Sequence, residues 1–534
     1  MNRQSTKRRR EDDDDGSVIA MDRLSQLPQP ILHSILSLLS QKDAVRTSVL
    51  SKSWHYLWHG CFNVEFRDDD YRSDRKNEFW PFLDKTLQRY LDQNLSLQKF
   101  LVSVYFEVDV VLLQKWIPLL IMNMGVRSFN LLFYGNTKDR DFPLQLLVVF
   151  QSESLVELNL QWLTLSTLKS TDNVMLNNLQ TLRLHTVDIT DEIFEKIISG
   201  CPLIENLDLI FCIGLQSIKL RKHCKIKNFS CITSYEIIIE IENPQILESV
   251  QIHEYRDWFF RNRNTHFPHL KSLNLHSVQL PETFDNFSSF FPCLNELILD
   301  SFPGLKEFRL SSSSIKRLTI RTDRINPGKR IKAFIDIPNI LYFEYSGHGF
   351  LPSIKFTTTS KVWKSQISLW YKLEHSDNDA TSWFLKLNKL LKALSQSHIT
   401  LIFNPSKYKK LHINDSYGGF YKPVVVEHLK LWGCSYFDPA ILNCFSRIFR
   451  PRYIQMENGL AKFNLAEYIS KLIPDETGCY FWLQDLEEVS IEVWKKKVKE
   501  WHCVCVEGTS FPALCSQQQI RFRLTWKEQL SKFT

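Results

Sequence analysis

Glycine is scarce in this chain, 16 in 534 residues, which argues against phosphate-cradling glycine loops and low-complexity linkers. No uninterrupted apolar run is long enough to span a bilayer. The opening MNRQSTKRRREDDDD has no apolar core of a secretory signal. The twelve scattered cysteines are therefore expected as free thiols in a reducing compartment, most of them small buried hydrophobes. Catalytic signatures are missing too: there is no G-x-S-x-G, Walker loop or H-E-x-x-H. No cysteine sits in a constellation that would activate a thiolate. We expect a non-catalytic chain with no cofactor. A formal net charge of +7 is too small for this length to imply nucleic acid, and no membrane partner is expected.

Metal binding fails on spacing. His502, Cys503, Cys505 and Cys515 lie close together with Cys479 upstream. A structural zinc site wants paired C-x₂₋₄-C, and here a C-x-C has no second pair. Residues 492–534 hold eight basic against four acidic residues, with Lys495, Lys496, Lys497 and Lys499 clustered. Such a run is ordinarily a solvated face, and contact with an acidic partner is the alternative.

What is present begins with a charged tail, residues 1–20, too poor in apolar residues to fold. Its basic run Lys7–Arg10 reads as a nuclear import signal or as plain solvated charge, so the expected location is nuclear, cytoplasmic or both. From Leu27 to Trp58 the character changes. Ile31, Leu32, Ile35, Leu36, Leu38 and Leu39 recur at three- and four-residue steps and make one wide apolar helical face. Pro28 and Pro30 are tolerated at the helix start. Asp43 and Ser51 can cap two further short helices. Three such helices have little common core. Part of their apolar surface must be covered, by the same chain or by a partner.

A second pattern fills the rest. L-x-x-L-x-L, with substitutions, recurs at Leu155-Leu158-Leu160, Leu179-Leu182-Leu184, Leu270-Leu273-Leu275, Leu294-Leu297-Leu299 and elsewhere, at steps of 23 to 29 residues. The last two leucines alternate with a polar residue, so both point inward from a strand. The period is that of leucine-rich repeats, whose units are stable only when stacked. Half-spaced copies at Leu215-Ile218-Leu220, Ile226-Phe229-Cys231 and Leu305-Phe308-Leu310 leave no room for a helix and predict a second strand on the return side. The phrase fades over 350–420, where Ala380–Leu394 reads as a helix, and returns at Val426. The polar residue between the inward leucines should line the open face of the strands: Asn159, Arg183, Asp208, Gln251, Asn274, Ile298 and Thr319. These are chemically mixed, which suits a specific protein or small-molecule surface better than a phosphate-reading groove.

Residues 27–58 resemble the F-box of plant F-box proteins. Leu27-Pro28, Ile31-Leu32, Lys42-Asp43-Ala44-Val45-Arg46, Ser48-Val49-Leu50-Ser51-Lys52 and Trp54-Tyr56-Leu57-Trp58 match nearly position by position. Pro30 departs from a usual acidic or polar residue, and Ser53 and His55 stand where arginine is frequent. The repeats through about residue 345, and the segment CYFWLQDLEEVSIE, are similar to plant F-box/leucine-rich-repeat proteins. The resemblance implies docking onto a Skp-type adaptor, and through it onto cullin and RING subunits of a ubiquitin ligase. The docking residues it points to are Leu27, Pro28, Ile31, Leu32, Ile35, Val49, Leu50, Trp54, Leu57 and Trp58. The repeats would then hold an unknown protein substrate. The alternative is a repeat scaffold or regulator without a part in ubiquitin transfer. The expected fold class is α/β: tail 1–20, three-helix F-box 21–60, leucine-rich-repeat solenoid of irregular strand/helix and strand/strand coils 61–345, irregular insert or degenerate repeats 346–425, and C-terminal repeats with a cap 426–534.

Overall fold

In the computed structural model the described residues are 27–28, 31–32, 35, 63–68, 77–105, 107–135, 144–165, 167–169, 171–221, 225–242, 244–253, 265–279, 283–284, 287–301, 307–322, 332–348, 351–370, 377–403, 423–432, 445–456, 485–495, 498–504 and 519–527. They fall into two compact units, Met1–Thr167 and Leu168–Thr534. Strands dominate, with few helices, and none of the described helices is long and apolar enough to cross a membrane.

The first unit runs β1 (Asn63–Arg67), α1 (Phe79–Asp92), β2 (Lys99–Val104), α2 (Val110–Met122), β3 (Ser128–Phe133), α3 (Leu147–Phe150) and β4 (Glu157–Gln161). The four strands pair in parallel, so that Phe66, Val102, Leu131 and Leu160 form one buried column. Aromatics fill the space around it: Phe66 meets Phe79 and Phe82 edge-on, and Phe100 stacks on Phe129 at 5.6 Å. Asp109 caps α2 by accepting from the Leu112 amide at 2.9 Å. Asp84 on α1 accepts from Trp116 Nε1 on α2 at 2.7 Å, so the indole is buried without losing its hydrogen bond.

The second unit opens with β5 (Thr181–His185), α4 (Asp191–Ser199), β6 (Asn206–Ile210), β7 (Ser217–Leu220), β8 (Asn228–Ile232), β9 (Ile238–Ile241), β10 (Ser249–His253) and β11 (Ser272–His276). It continues with β12 (Thr283–Phe284), α5 (Phe287–Phe290), β13 (Glu296–Asp300), β14 (Glu307–Ser311), β15 (Arg317–Arg321), β16 (Lys332–Asp336), β17 (Tyr342–His348), β18 (Ser353–Thr357) and β19 (Lys364–Trp370). Then come α6 (Asp377–Ala393), β20 (His398–Phe403), β21 (Val424–Leu431), β22 (Phe449–Met456), β23 (Leu486–Lys495), β24 (Glu500–Val504) and β25 (Ile520–Trp526).

A parallel ladder runs β5-β6-β8-β10-β11-β13-β15-β17-β19-β20-β21-β22. The repeated leucines stack in columns: Leu184, Leu209, Cys231, Ile252, Leu275, Leu299, Ile320, Tyr345 and Ile367 are successive partners, all buried. Two separate parallel sheets, β7-β9 and β12-β14-β16-β18, lie on the return side. The half-spaced phrases at 215 and 305 are these return strands. The phrase at 226 is not one: β8 pairs with β6 and β10, Phe229 facing Leu207 and Val250, and belongs to the main ladder. The return strand after it is β9, whose Ile239 and Ile241 the leucine phrase did not flag.

Among the described residues of 346–425 the ladder continues, with β19 pairing β17 and β20, and β20 pairing β21. Ser365 explains why the phrase fades there. It occupies a leucine column, paired with Phe343 and Ile399, and is 1% exposed. Its buried hydroxyl is satisfied by Ser397 Oγ at 2.6 Å. After β22 the direction reverses. β25 joins antiparallel to β22, β23 joins β25, and β24 joins β23.

A turn residue recurs at the strand ends. Trp162, Thr186, Phe211, Ser277 and Ser301 each follow a strand directly and adopt φ between 50° and 58°. None is glycine, and a left-handed residue of this kind costs about 1–2 kcal/mol. In the second unit the amides of Thr186, Phe211, Ser277 and Ser301 each donate to the carbonyl ending the next rung, at 2.6–2.9 Å. The turn thus keeps the strand-end amides satisfied.

Candidate functional site

The amino-terminal docking residues split in two. Pro28 O accepts from the amides of Ile31 at 2.9 Å and Leu32 at 3.2 Å, the first turn of a helix opened by Leu27-Pro28. Leu32 faces inward at 3% exposure, while its neighbour Ile31 is 47% exposed. Leu27 and Ile35 are half-buried and Pro28 is exposed. Val49, Leu50, Trp54, Leu57 and Trp58 lie outside the described residues.

The second candidate is the open strand face of each unit. In the first unit Asn159 pairs with Asn130 and is half-buried. Glu65 shares that side with Lys99 and Arg67. Burial raises its pKa, but hydrogen bonds and charge from Lys99 and Arg67 outweigh burial, and the carboxyl titrates below its ordinary value. In the second unit one row connects Arg183, Asp208, Ser230, Gln251, Asn274, Ile298, Thr319, Glu344, Gln366, Thr400, His428, Tyr453 and Arg523. Arg183, Asp208, Gln251 and Asn274 are half-buried in it. Thr319, expected on the open face, is only 4% exposed, while Arg317 and Arg321, two positions to either side of it, are exposed.

Spacing alone missed the neighbouring row, two residues further along each strand. It carries His185, His253, His276, Asp300 and Arg321, which follow the last inward residue by one position, so the same alternation extended by one step would have found them; Lys430 lies level with that row, between the inward Leu429 and Leu431. His185 Nε2 lies 3.3 Å from Asp208 Oδ2. Burial pushes the Asp208 carboxyl up, but hydrogen bonds from His185 and Ser230 and the charges of His185 and Arg183 bring it below the usual carboxylate range. His253 and His276 stack at 4.7 Å, and His276 reaches Asp300 at 4.0 Å. Arg317 meets Glu296 at 3.6 Å, and Arg321 meets Glu344 at 3.3 Å. Burial, then the charge and hydrogen bond of Glu344, push the Tyr342 phenol up to about 12.

The face ends in an aromatic and charged knot. His428 stacks on Tyr453 at 5.1 Å, and the Arg521 guanidinium sits 4.1 Å from the Tyr453 ring centre and 4.4 Å from that of Trp501. Burial lowers the His428 pKa; Glu427 opposes this, and Lys430, Arg521 and Lys364 add to it. No group of three histidine, cysteine or acidic side chains is set to hold a metal ion among the described residues. Cys503 is exposed and free, and Cys479, Cys505 and Cys515 lie outside the described residues. Cys201, Cys212 and Cys231 are buried, and burial pushes the thiols of Cys212 and Cys231 up to about 12. The arrangement offers recognition surfaces.

Comparison with known proteins agrees with the two halves. An F-box domain model matches residues 24–63, and a model described as "At1g61320/AtMIF1, LRR domain" matches residues 87–323. The F-box/LRR-repeat protein At3g59200 of Arabidopsis thaliana is 35% identical over 41% of this chain and 43% of its own length. The putative F-box/LRR-repeat protein At3g18150 of the same plant is 28% identical over 53% of this chain and 54% of its own. The F-box protein At5g03100, also from Arabidopsis thaliana, is 26% identical over 57% of this chain and 87% of its own. The matched stretch spans about half the length of the first of these curated relatives.

Proposed function

Because the chain joins an F-box to leucine-rich repeats of the plant F-box/LRR-repeat kind, we propose that it is the substrate-recognition subunit of a Skp–cullin–F-box ubiquitin ligase. The F-box, folded as three short helices, docks a Skp-type adaptor through Leu27, Pro28, Ile31, Leu32, Ile35, Val49, Leu50, Trp54, Leu57 and Trp58, and that adaptor brings the cullin and RING subunits. The repeats, stacked as a solenoid, hold the protein to be ubiquitinated. The chain contributes proximity and no chemistry: a held substrate near a charged enzyme has a raised effective concentration. The working location is the nucleus, the cytoplasm or both, with Lys7–Arg10 as the import signal.

One observation carries most of this reading. Ile31 stands 47% exposed at the head of the F-box beside a buried Leu32, and an aliphatic side chain of that size left in water at a domain matched to the F-box model is what a docking partner would cover. The test is capture of the adaptor by the full chain and by its Leu27→Ala/Pro28→Ala form, followed by reconstitution with adaptor, cullin and RING subunits. Loss of capture with intact repeats supports the proposal, and unchanged capture refutes it. Capture without ubiquitination of any bound protein would favour a scaffold with no part in ubiquitin transfer.

A further inference from the structure

We infer that the strand face from β19 to β25 is the part of the repeat surface that takes the client, and that it takes an extended segment rich in aspartate and glutamate. This rests on the receptor reading above and adds the chemistry of what is received.

The evidence is how charges are matched along the face. From β5 to β17 acids and bases meet one another: Asp208 with His185, Glu296 with Arg317, Asp300 with His276, Glu344 with Arg321. From β19 onward the balance shifts. Lys364, His398, His428, Lys430, Arg521 and Arg523 occupy outward positions. Glu427 is engaged by Arg452 at 3.2 Å. Glu492 is 7% exposed and shared by Arg521 at 2.5 Å and Arg523 at 3.8 Å. Lys364 and Lys430 are exposed and have no ion-pair partner among the described residues.

The geometry selects among anionic partners. Lys364 and Lys430 sit two rungs apart and at opposite ends of their strands. At the usual spacings they are about 16 Å apart, which an extended chain covers in about five residues. Two carboxylates at that separation can reach both lysines across Thr400 on β20, alongside the His428–Tyr453–Arg521 stack. Nucleic acid fits less well. The Tyr453 ring already lies against His428 and Arg521, so it offers no open face for a base. Two unmatched lysines are few for a phosphate backbone.

The test uses the full chain and fluorescence polarisation. The probes are a labelled peptide of about ten residues alternating acidic and small residues, its lysine counterpart, and a short DNA duplex. The acidic peptide should bind and the lysine peptide should not. Lys364→Glu/Lys430→Glu should weaken the acidic peptide about tenfold at ~100 mM salt. Lys495→Glu/Lys499→Glu, with Lys495 three positions from Glu492 and so on the other side of β23, should leave it within about twofold. Lys364→Ala/Lys430→Ala should fall between, and thermal melting shows that each variant is folded. Binding unaffected by the double reversal overturns the inference, as does equal binding of the lysine peptide or tighter binding of DNA. Adaptor capture is scored on the same samples. An acidic peptide that fails to bind while adaptor capture persists removes this inference alone; failure of the unaltered chain to capture adaptor removes the receptor reading beneath it.

Discussion

Arg521 Nε lies 2.5 Å from Glu492 Oε2, and the pair is closed between the rings of Tyr453 and Trp501. The two residues come from β25, which runs against β22, and from β23, which runs against β25, and they face each other in register. Trp526 Nε1 adds a bond to Pro451 O at 2.8 Å. Removing Glu492 would leave Arg521 and Arg523 uncompensated. Glu492→Ala should therefore destabilise the C-terminal sheet by about 2–4 kcal/mol, toward the range for breaking a buried pair. Urea melts followed by tryptophan fluorescence measure this, and a loss below about 0.5 kcal/mol would mean the pair is ornamental.

Asp191 locks α4 to the return strand β7. Its carboxylate accepts from the amides of Gln216 at 2.7 Å and Ser217 at 3.0 Å, and from the Ser217 hydroxyl at 2.9 Å. It also sits in the first turn of its helix, where negative charge is favoured. Asp191→Ala should cost about 1–3 kcal/mol, since two backbone donors lose their acceptor, and Asp191→Asn less. A lowered melting temperature in that order is the expected result.

Asp208 supplies a pH dependence of defined sign. Its folded pKa lies below its ordinary value of 3.8. Its contribution is therefore present above that value and disappears as pH falls through the lower folded value. His185→Ala should raise the Asp208 pKa and shrink this part of the stability. Carboxyl NMR titration of the two forms reads it directly, and identical titrations would show that the imidazole does not matter.

Ile31 and Leu32 separate docking from folding. Ile31→Asp changes an exposed position and should alter stability by no more than about 0.5 kcal/mol. Under the proposed function it should nonetheless reduce adaptor capture strongly. Leu32→Ala should cost about 2–5 kcal/mol as a buried truncation. Equal effects of the two on capture, in proportion to lost stability, would argue that Ile31 is no contact.

The amino-acid order by itself determined the ladder. Two inward residues around one polar residue make a strand with one dry face wherever they occur, and recurrence at 23 to 29 residues leaves stacking as the way to bury it. It also determined that some coils carry a return strand, because ten residues cannot hold a helix and two turns. Tertiary structure decided which polar side chains meet. Register between rungs joins Asp208 to His185, 23 positions away, and Arg521 to Glu492, 29 away, and no local pattern encodes those pairings. Ser365 is the clearest case. A serine in a leucine column reads as a break in the repeat until Ser397, from the turn before the next strand, supplies its hydrogen bond. A hydroxyl can be buried once its partner is in place, and only the folded chain brings that partner.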